Sequence, residues 1–254
     1  MNPLFKGIAA NDPKDLILFL LETIHKELNK PDNNSNTDLT PNFNNFKAVY
    51  GASVYNFESK NKSIIFDEFY FYSNSMTTCS NCRNIIHNVQ MNSLIFFPLE
   101  EVRKFMNYNF NQVRINDCFE YYERNEVLPS FYCNICKASY ESYNQSKLVK
   151  GPQTLIINLN RGIGLQFNVG IIFEEYLNLR KYIYEQKSHY FYELTGVVCH
   201  FGTNDDGGHF IAFCKNCNDC NWYKFNDGIV NKCSFQDVCS VGLPYVLFYS
   251  YVQL

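Results

Sequence analysis

Two C-x-x-C motifs, with fifty residues between them, constrain the fold of this chain more than any other feature. They are Cys79-Ser-Asn-Cys82 and Cys133-Asn-Ile-Cys136. Each motif offers two thiolates from one tight turn, and a tetrahedral structural zinc site needs four such ligands. The motifs therefore predict a single closed zinc site, and the fold has to bring two distant turns together. The alternative is four free thiols that hold no metal.

The remaining cysteines indicate the compartment. The chain has eleven cysteines in 254 residues, and its first thirty residues carry no basic stretch followed by an apolar one, so no secretory signal is predicted. Without export, cysteines are expected to be free thiols or metal ligands in a reducing compartment, and disulfides are not the default. We therefore expect an intracellular protein of the cytoplasm, the nucleus or both. Cys118 is predicted to be a free thiol.

Charge and hydropathy exclude two classes of partner. The formal net charge is -3 and the isoelectric point is near 6.0, so a basic surface for nucleic acid is not predicted. No apolar run approaches the length of about 18 residues that crosses a bilayer. With 46% hydrophobic residues, the chain can instead build a packed core.

A histidine, an asparagine and an aspartate form the candidate chemical centre. His209 follows two glycines at the start of an alternating apolar run, and Asn226 and Asp227 end an aromatic segment that starts at Trp222. An amide or carboxylate beside an imidazole N–H fixes the tautomer and direction of the ring. The pattern is that of a general base with its orienting partner, which still needs a nucleophile. The alternative is a loop histidine beside an ordinary Asp-Gly hairpin turn.

A third cysteine cluster lies between these two segments. Cys214, Cys217 and Cys220 fall in a predicted hairpin connection, and only Cys233 or Cys239 is available as a fourth ligand. Three ligands within seven residues are compatible with a metal site. Chance spacing in a cysteine-rich chain, or a cluster of loop thiols, is the interpretation we favour.

Periodicity predicts mostly strands and one long helix. Asp12 as N-cap, Pro13 at the first helical position and Asp15 in the first turn predict a helix start. Spacings of three and four residues then predict one apolar stripe, formed by Leu16, Leu20, Ile24 and Leu28 with Ile17 and Leu21 beside them. Buried or alternating runs predict strands at 153–160, 190–200, 209–213, 221–225 and 244–252. The segment 30–61 is predicted to be a surface connection with at most one short element. The prediction is an α+β protein with a mostly antiparallel sheet.

Four segments near the C-terminus resemble the histidine box of ubiquitin-specific proteases. They are Leu194–His200, Gly208-His209-Phe210-Ile-Ala, Trp222–Asp227 with Val230 behind it, and Pro244–Tyr249. The helix over 12–28 is similar to the helix that follows the cysteine box in that family, and the paired C-x-x-C motifs resemble its fingers. Only the arginine of the family's usual Lys-Arg-Phe is present here, as Arg161. His25 is expected to be a surface or packing residue of the helix.

The resemblance implies a papain-like fold with a palm sheet, zinc-ribbon fingers and an incomplete helical thumb. It implies His209 as general base, Asn226 as its orienting residue and Asp227 as a neighbouring polar group that assists. Structural zinc would be held by Cys79, Cys82, Cys133 and Cys136. The implied activity is thiol-dependent hydrolysis at the C-terminal glycine of ubiquitin, with ubiquitin or ubiquitinated proteins as partners and the chain as a monomer.

The family's cysteine box is not found in this sequence. Residues 1–10 contain no cysteine, and Cys199 is expected to lie in the same sheet as His209. We therefore expect one truncated catalytic domain over 1–254, divided into a thumb helix (1–30), a connection (31–62), fingers (63–150) and a palm (151–254). By itself, this chain is expected to be inactive. The alternatives are a catalytically inactive ubiquitin-binding relative and a zinc-ribbon module unrelated to ubiquitin.

Overall fold

A computed structural model describes residues 12–31, 39, 42–185, 190–204, 207–240 and 242–253. The helices in these ranges are α1 (Pro13–Leu28), α2 (Phe46–Lys60), α3 (Ile64–Phe69), α4 (Leu99–Phe105), α5 (Ile115–Tyr122) and α6 (Phe235–Ser240). The strands are β1 (Phe71–Cys79), β2 (Ile85–Asn92), β3 (Ile95–Pro98), β4 (Gln112–Arg114), β5 (Glu126–Cys133), β6 (Ala138–Lys150), β7 (Thr154–Asn160), β8 (Gly170–Ile172), β9 (Tyr176–Asn178), β10 (Phe191–Asn204), β11 (Gly207–Lys215), β12 (Trp222–Asn226), β13 (Ile229–Cys233) and β14 (Leu243–Val252).

A four-stranded antiparallel sheet, which we call the finger sheet, carries both C-x-x-C motifs. Its strand order is β2-β1-β6-β5, so it consists of two hairpins whose inner strands pair. The register places Cys79, at the end of β1, opposite Ser142 of β6. Because β5 ends at Cys133 and turns directly into β6, the tips of the two hairpins lie side by side.

An eight-stranded sheet, the palm sheet, forms the larger layer. Its order is β13-β12-β11-β10-β14-β7-β3, with β9 paired to β10. Every pair is antiparallel except β3 with β7, and the strands predicted from alternation and β-branching are all present. The α+β prediction with a mostly antiparallel sheet is confirmed. The core packs on this sheet and includes fully buried side chains such as Phe97, Phe213 and Tyr249.

The aromatic-rich sequence between the two C-x-x-C motifs predicts strands that bring the two turns together, but the segment between the two finger hairpins does not form them. It contributes β3 to the palm sheet and then forms α4, the short strand β4 and α5. Leu99, Val102 and Phe119 of these helices are fully buried in the palm core. The reason is their spacing of three and four residues, which buries one helix face more effectively than a strand would. Pairing of β1 with β6 brings the turns together.

Helix α1 begins as predicted, with the Asp12 side chain accepting from the backbone N–H of Lys14 at 2.8 Å. The predicted stripe is split, however. Ile17, Leu18 and Leu21 pack against α3 and the palm sheet, whereas the side chains at every fourth position are 39–45% exposed: Leu16, Leu20, Ile24 and Leu28. The predicted amphipathic helix is present, but only one side of its stripe is packed. One flat sheet covers only part of a helix surface.

The connection over 31–62 contains α2, a helix of fifteen residues that is longer than the short element we predicted. Asn45 caps its first turn, and Val49 and Ala52 are buried. The prediction failed because the buried and exposed aromatic residues of this helix give almost no periodic contrast.

His25 connects α1 to the segment between α2 and α3, since its ring nitrogens contact Ser63 Oγ at 2.7 Å and Asn61 Oδ1 at 3.0 Å. The predicted packing role of His25 is confirmed.

Arg161 is buried at the end of β7, where the sequence left the local packing in doubt. Its guanidinium donates to the carbonyls of Pro244, Phe167 and Val169 at 2.7–3.1 Å. These three acceptors tie the end of β7 to the start of β14 and to the short 3-10 helix Gly164–Asn168.

Among the helices of the described ranges, none is long and apolar enough to cross a membrane.

Candidate functional site

Cys79, Cys82, Cys133 and Cys136 converge at the tips of the two finger hairpins. Their sulfur atoms all lie within 4.8 Å of one another, and the Cys82 and Cys133 sulfurs are 3.6 Å apart. Four sulfurs around one tetrahedral zinc ion are separated by about 3.8 Å. The four residues can therefore hold a metal ion, and a set of four thiolates is the donor set that zinc prefers in closed sites.

The surroundings of this cluster act differently on its thiols. The Asn84 backbone N–H lowers the pKa of Cys82, but burial and the three neighbouring cysteines outweigh it and raise that pKa to about 12, whereas backbone N–H groups act on Cys133 in the opposite direction. The Asn81 side-chain amide donates to Cys136 Sγ at 3.3 Å. The backbone N–H groups of Cys136 and Ile135 point at the Cys133 sulfur and lower the pKa of this thiol to about 7. Cys79 and Cys133 are buried. Metal ligands are bound as thiolates, so these N–H groups prepare the site for an ion.

Both finger turns have the same backbone geometry. In each, the carbonyl of the first residue accepts from the N–H of the fifth: Cys79 from Arg83 at 3.0 Å, and Cys133 from Lys137 at 2.8 Å. The fifth residue has a positive φ, 60° at Arg83 and 56° at Lys137. Cysteines occupy the first and fourth positions, from which both sulfurs of each turn enter the same four-cysteine cluster.

The palm turn at 216–220 repeats this geometry with its cysteines in a different register. Asn216 O accepts from Cys220 N–H at 2.9 Å, and Cys220 has φ 56°. Cysteines therefore stand second and fifth, while Asn216 and Asp219 hold the first and fourth positions. Within the described ranges, the finger cysteines are the one group of three or more metal-binding side chains that converges. Cys217 and Cys220 are loop thiols, as we interpret them from the sequence, whereas Cys214 lies on β11 and pairs with Tyr223 of β12, outside the predicted hairpin connection.

His209 and Asn226 meet where strands β11 and β12 of the palm sheet begin and end, respectively. His209 lies on β11 and pairs with Phe201 of β10, and Asn226 is the last residue of β12. His209 Nε2 lies 2.6 Å from Asn226 Oδ1. Because an amide oxygen only accepts, Nε2 carries the proton and donates it, which leaves Nδ1 as the basic nitrogen.

Asp227 is a secondary partner. Its Oδ2 lies 3.6 Å from His209 Nε2, and its side chain is 81% exposed. At that distance and exposure, the interaction is weaker than the hydrogen bond to Asn226. The sequence placed all three residues together, and the geometry makes Asn226 the nearer partner.

The described residues give His209 no thiol partner. All eleven cysteines are described and unpaired, and no hydrogen bond joins any of them to His209 among the described contacts. Cys199 pairs with Ile211, which lies two residues after His209 on β11. The Cys199 side chain is fully buried, and burial raises the pKa of its thiol to about 12. A buried neutral thiol is a poor nucleophile, in agreement with the expectation that Cys199 does not act as one.

A groove that the sequence analysis missed lies between α2, the end of β6 and the segment 181–185. Its volume is about 680 Å³. A smaller cavity of about 130 Å³ shares Phe46, Lys147, Val149 and Tyr184 with it. The groove lies apart from the histidine, since neither His209 nor Asn226 lines it. Its lining combines aromatic rings with charged side chains: Phe46, Tyr50, Tyr182, Tyr184, Lys47, Lys147, Lys181, Glu123 and Glu185.

Comparisons with known proteins agree on one family. Residues 1–249 match the family described as ubiquitin carboxyl-terminal hydrolase. Ubiquitin carboxyl-terminal hydrolase 8 of Saccharomyces cerevisiae is 31% identical over 56% of this chain and 33% of its own length. Ubiquitin carboxyl-terminal hydrolase 2 of Gallus gallus is 26% identical over 97% of this chain and 70% of its own length.

Solved structures agree with this comparison. A structure of the yeast SAGA DUB module with a mutant Sgf73 matches with a TM-score of 0.71 and 25% identity, over 96% of this chain and 51% of that one. A Ubp8/Sgf11/Sus1/Sgf73 module bound to ubiquitin aldehyde matches in fold, with a TM-score of 0.63 and 22% identity over 82% of this chain. The chain spans about half the length of these solved chains. The expected fold is confirmed.

Proposed function

Because the chain belongs to the ubiquitin carboxyl-terminal hydrolase family, we propose that it supplies the general-base half of a deubiquitinating site. The reaction would be thiol-dependent hydrolysis of the bond at the C-terminal glycine of ubiquitin. Nδ1 of His209 would take the proton from a thiol and return it to the leaving amine. Asn226 would hold the ring in the Nε2–H tautomer, and Asp227 would stabilise the imidazolium from a greater distance.

The observation that carries this proposal is the 2.6 Å contact between His209 Nε2 and Asn226 Oδ1. The imidazole is 47% exposed, so Nδ1 can meet a group that arrives from solvent. A loop histidine without a catalytic role does not require an amide oxygen that accepts a hydrogen bond from one of its ring nitrogens. The arrangement is that of a base and its orienting residue.

We propose that the four finger cysteines hold a structural zinc ion. The 4.8 Å limit on their sulfur separations supports this, as does the donation from Asn81 to Cys136. A closed set of four thiolates leaves no coordination position for a substrate. The ion would supply only stability, by joining the two hairpins of the finger sheet.

We propose that the groove beside α2 contributes to ubiquitin binding. The aromatic rings of Phe46, Tyr50 and Tyr184 offer large apolar contacts of the kind that dominate protein interfaces. The three lysines and two glutamates at the groove supply a polar rim. A folded protein such as ubiquitin fits this surface better than a small ligand, because the groove is open and flanked by charge.

An inactive ubiquitin-binding role is the second candidate, and one observation favours it. None of the eleven cysteines hydrogen-bonds to His209 among the described contacts, and the thiol of Cys199, nearby in the sheet, is buried. We therefore propose that these 254 residues by themselves bind ubiquitin without cleaving it. A nucleophile contributed by other residues would convert binding into catalysis.

Two assays on the purified chain test this proposal. We expect ubiquitin to shift the NMR signals of the groove, and Tyr50→Ala with Tyr184→Ala to weaken binding about tenfold or more. Tyr132→Ala, an exposed tyrosine of the finger sheet outside the groove, is the matched control. A ubiquitin with an electrophilic C-terminus should form no adduct. Absence of binding would refute the groove assignment, and an adduct would refute the inactivity of the isolated chain.

We further propose that the chain acts as one domain and as a monomer in the cytoplasm or nucleus. Its eleven unpaired cysteines support a reducing compartment. The division into thumb helix, connection, fingers and palm over 1–30, 31–62, 63–150 and 151–254 remains a prediction. Within it, residues 95–122 pack with the palm core.

A further inference from the structure

The backbone immediately before His209 departs from regular pairing. Strands β10 and β11 pair regularly up to Phe201 with His209, and the register then shifts before Asn204 meets Gly207. His209 is therefore the last regular residue at this end of its strand. Its position depends on what holds the neighbouring backbone, which includes Gly202 and Gly208.

His200 is the side chain that packs against these glycines. Side chains alternate along a strand and directly paired residues share a face. His200 therefore shares a face with Phe210, and His209 lies on the opposite face with Phe201. The His200 imidazole is only 6% exposed. Its ring lies against Phe210 at 4.9 Å and Phe167 at 5.3 Å between centroids.

The glycines leave room for this ring. A β-carbon on Gly208 would overlap Nε2 of His200 and the carbonyl oxygen of Phe201. A β-carbon on Gly202 would lie 2.8 Å from Cε1 of His200 and 2.6 Å from the carbonyl oxygen of Gly207. At Gly207 a β-carbon would meet no atom of the described residues within 4 Å. The imidazole is thus wedged between two glycine backbones, and Gly207 lies outside the contact.

Stability alone does not account for a histidine here. Among the described residues, neither the buried Nδ1 of His200 nor the buried Nη2 of Arg161 has a hydrogen-bond partner. Burial, with the nearby Arg161 charge as a smaller cause, lowers the pKa of His200 and so favours the neutral ring. An unpaired polar atom in the interior destabilises a fold, whereas an apolar side chain would carry no such penalty.

We propose that His200 is a positioning residue, whose flat ring fixes the backbone at Gly202 and Gly208 and thereby places His209 against Asn226. The role of His209 as a base rests on the proposed function. The placement of its ring does not, because the contact between His209 and Asn226 can be measured without substrate. His200 itself touches no reacting atom.

Long-range 1H–15N NMR of the 254-residue chain reports the tautomer of His209. In the unaltered chain we expect mainly the Nε2–H form. His200→Ala should reduce the ratio of Nε2–H to Nδ1–H tautomer about fivefold, the equivalent of losing one hydrogen bond. His200→Gln, which refills part of the space, should recover most of the loss. An unchanged tautomer ratio in folded His200→Ala would overturn the proposal.

A matched glycine pair keeps the test decisive if His200→Ala does not fold. Gly208→Ala should reduce the ratio as His200→Ala does, because its methyl group displaces the ring, and Gly207→Ala should leave it unchanged. Equal effects of the two would overturn the proposal, since loop flexibility would then explain the result. If ubiquitin fails to bind while this pattern holds, the proposed function fails and His200 still positions the ring.

Discussion

The finger turns and the palm turn at 216–220 share a backbone and differ in the register of their cysteines. In all three turns a carbonyl accepts from the N–H four residues on, and the fifth residue has φ between 56° and 60°. Cysteines stand first and fourth in the fingers but second and fifth in the palm. The comparison indicates that a C-x-x-C spacing alone does not make a group able to hold a metal ion. The turn also has to place both sulfurs on one side, and a second such turn has to face it.

The largest effect is expected from removing a finger thiolate. Cys79→Ser or Cys133→Ser should reduce bound zinc from one equivalent to nearly none, because a structural zinc ion contributes about 10–16 kcal/mol through its full ligand set. Elemental analysis of the purified chain measures this. Cys217→Ser and Cys220→Ser are the matched controls and should keep the full equivalent. Loss of zinc in the controls would contradict the register argument.

A smaller effect is expected from the amide beside the cluster. Asn81→Ala removes the donor to Cys136 Sγ, and losing a hydrogen bond to a metal ligand weakens metal binding about 10- to 100-fold. Competition with a chromophoric chelator measures the affinity. Asn218→Ala is the counterpart in the palm turn, where Asn218 Oδ1 lies 4.0 Å from the Cys217 sulfur. An equal loss of affinity in both variants would show that Asn81 has no specific role.

The two regions should also differ in their response to acid. Burial lowers the pKa of His200 in the palm and of His87 in the fingers. Below about pH 6.5 the unfolded chain protonates these rings before the native state does, so the free energy of unfolding falls as pH falls. Each ring contributes a slope of at most about 1.4 kcal/mol per pH unit.

Urea unfolding between pH 5 and 8 separates the two histidines. We expect His200→Gln to flatten the curve more than His87→Gln, because the palm ring is buried whereas His87 is half-buried and hydrogen-bonded to Asn74. A curve for His200→Gln that runs parallel to that of the unaltered chain would mean that His200 does not stay neutral in the native state.

The smallest effect concerns the shared backbone. Glycine in place of Arg83, Lys137 or Cys220 should raise the free energy of unfolding by about 0.5 kcal/mol, because it relieves the left-handed conformation but increases the entropy of the unfolded chain. Valine at the same positions should lower it by about 1 kcal/mol. Thermal unfolding of the zinc-loaded chain tests both. If Cys220 responds unlike Arg83 and Lys137, the three turns are not equivalent.

The sequence predicted the features that depend on local pattern. Asp12 and Pro13 defined the start of α1, alternation defined the palm strands, and two glycines before a histidine located His209. The pairing of His209 with Asn226 followed because two adjacent antiparallel strands bring their ends together. The convergence of the four finger cysteines was predicted from the two C-x-x-C spacings.

Features that depend on long-range packing could not be predicted. Whether Leu16 and Leu20 or Ile17 and Leu21 face the sheet is decided by the angle at which α1 crosses it. Helix α2 escaped because its buried and exposed aromatic residues give no periodic contrast. The contact of His200 with Gly208 depends on a register shift, which no spacing in the sequence encodes.

The packing of β3, α4 and α5 in the palm, between the two finger hairpins in sequence, has a consequence for the order of folding. The finger cysteines lie on either side of this segment, so an ion at the finger tips would close a loop of about fifty residues that runs through the other half of the molecule. The entropy cost of closing this loop is small only after the residues within the loop have folded. Zinc uptake would therefore be a late event in folding, and its rate would report on the completion of a core far from the ion.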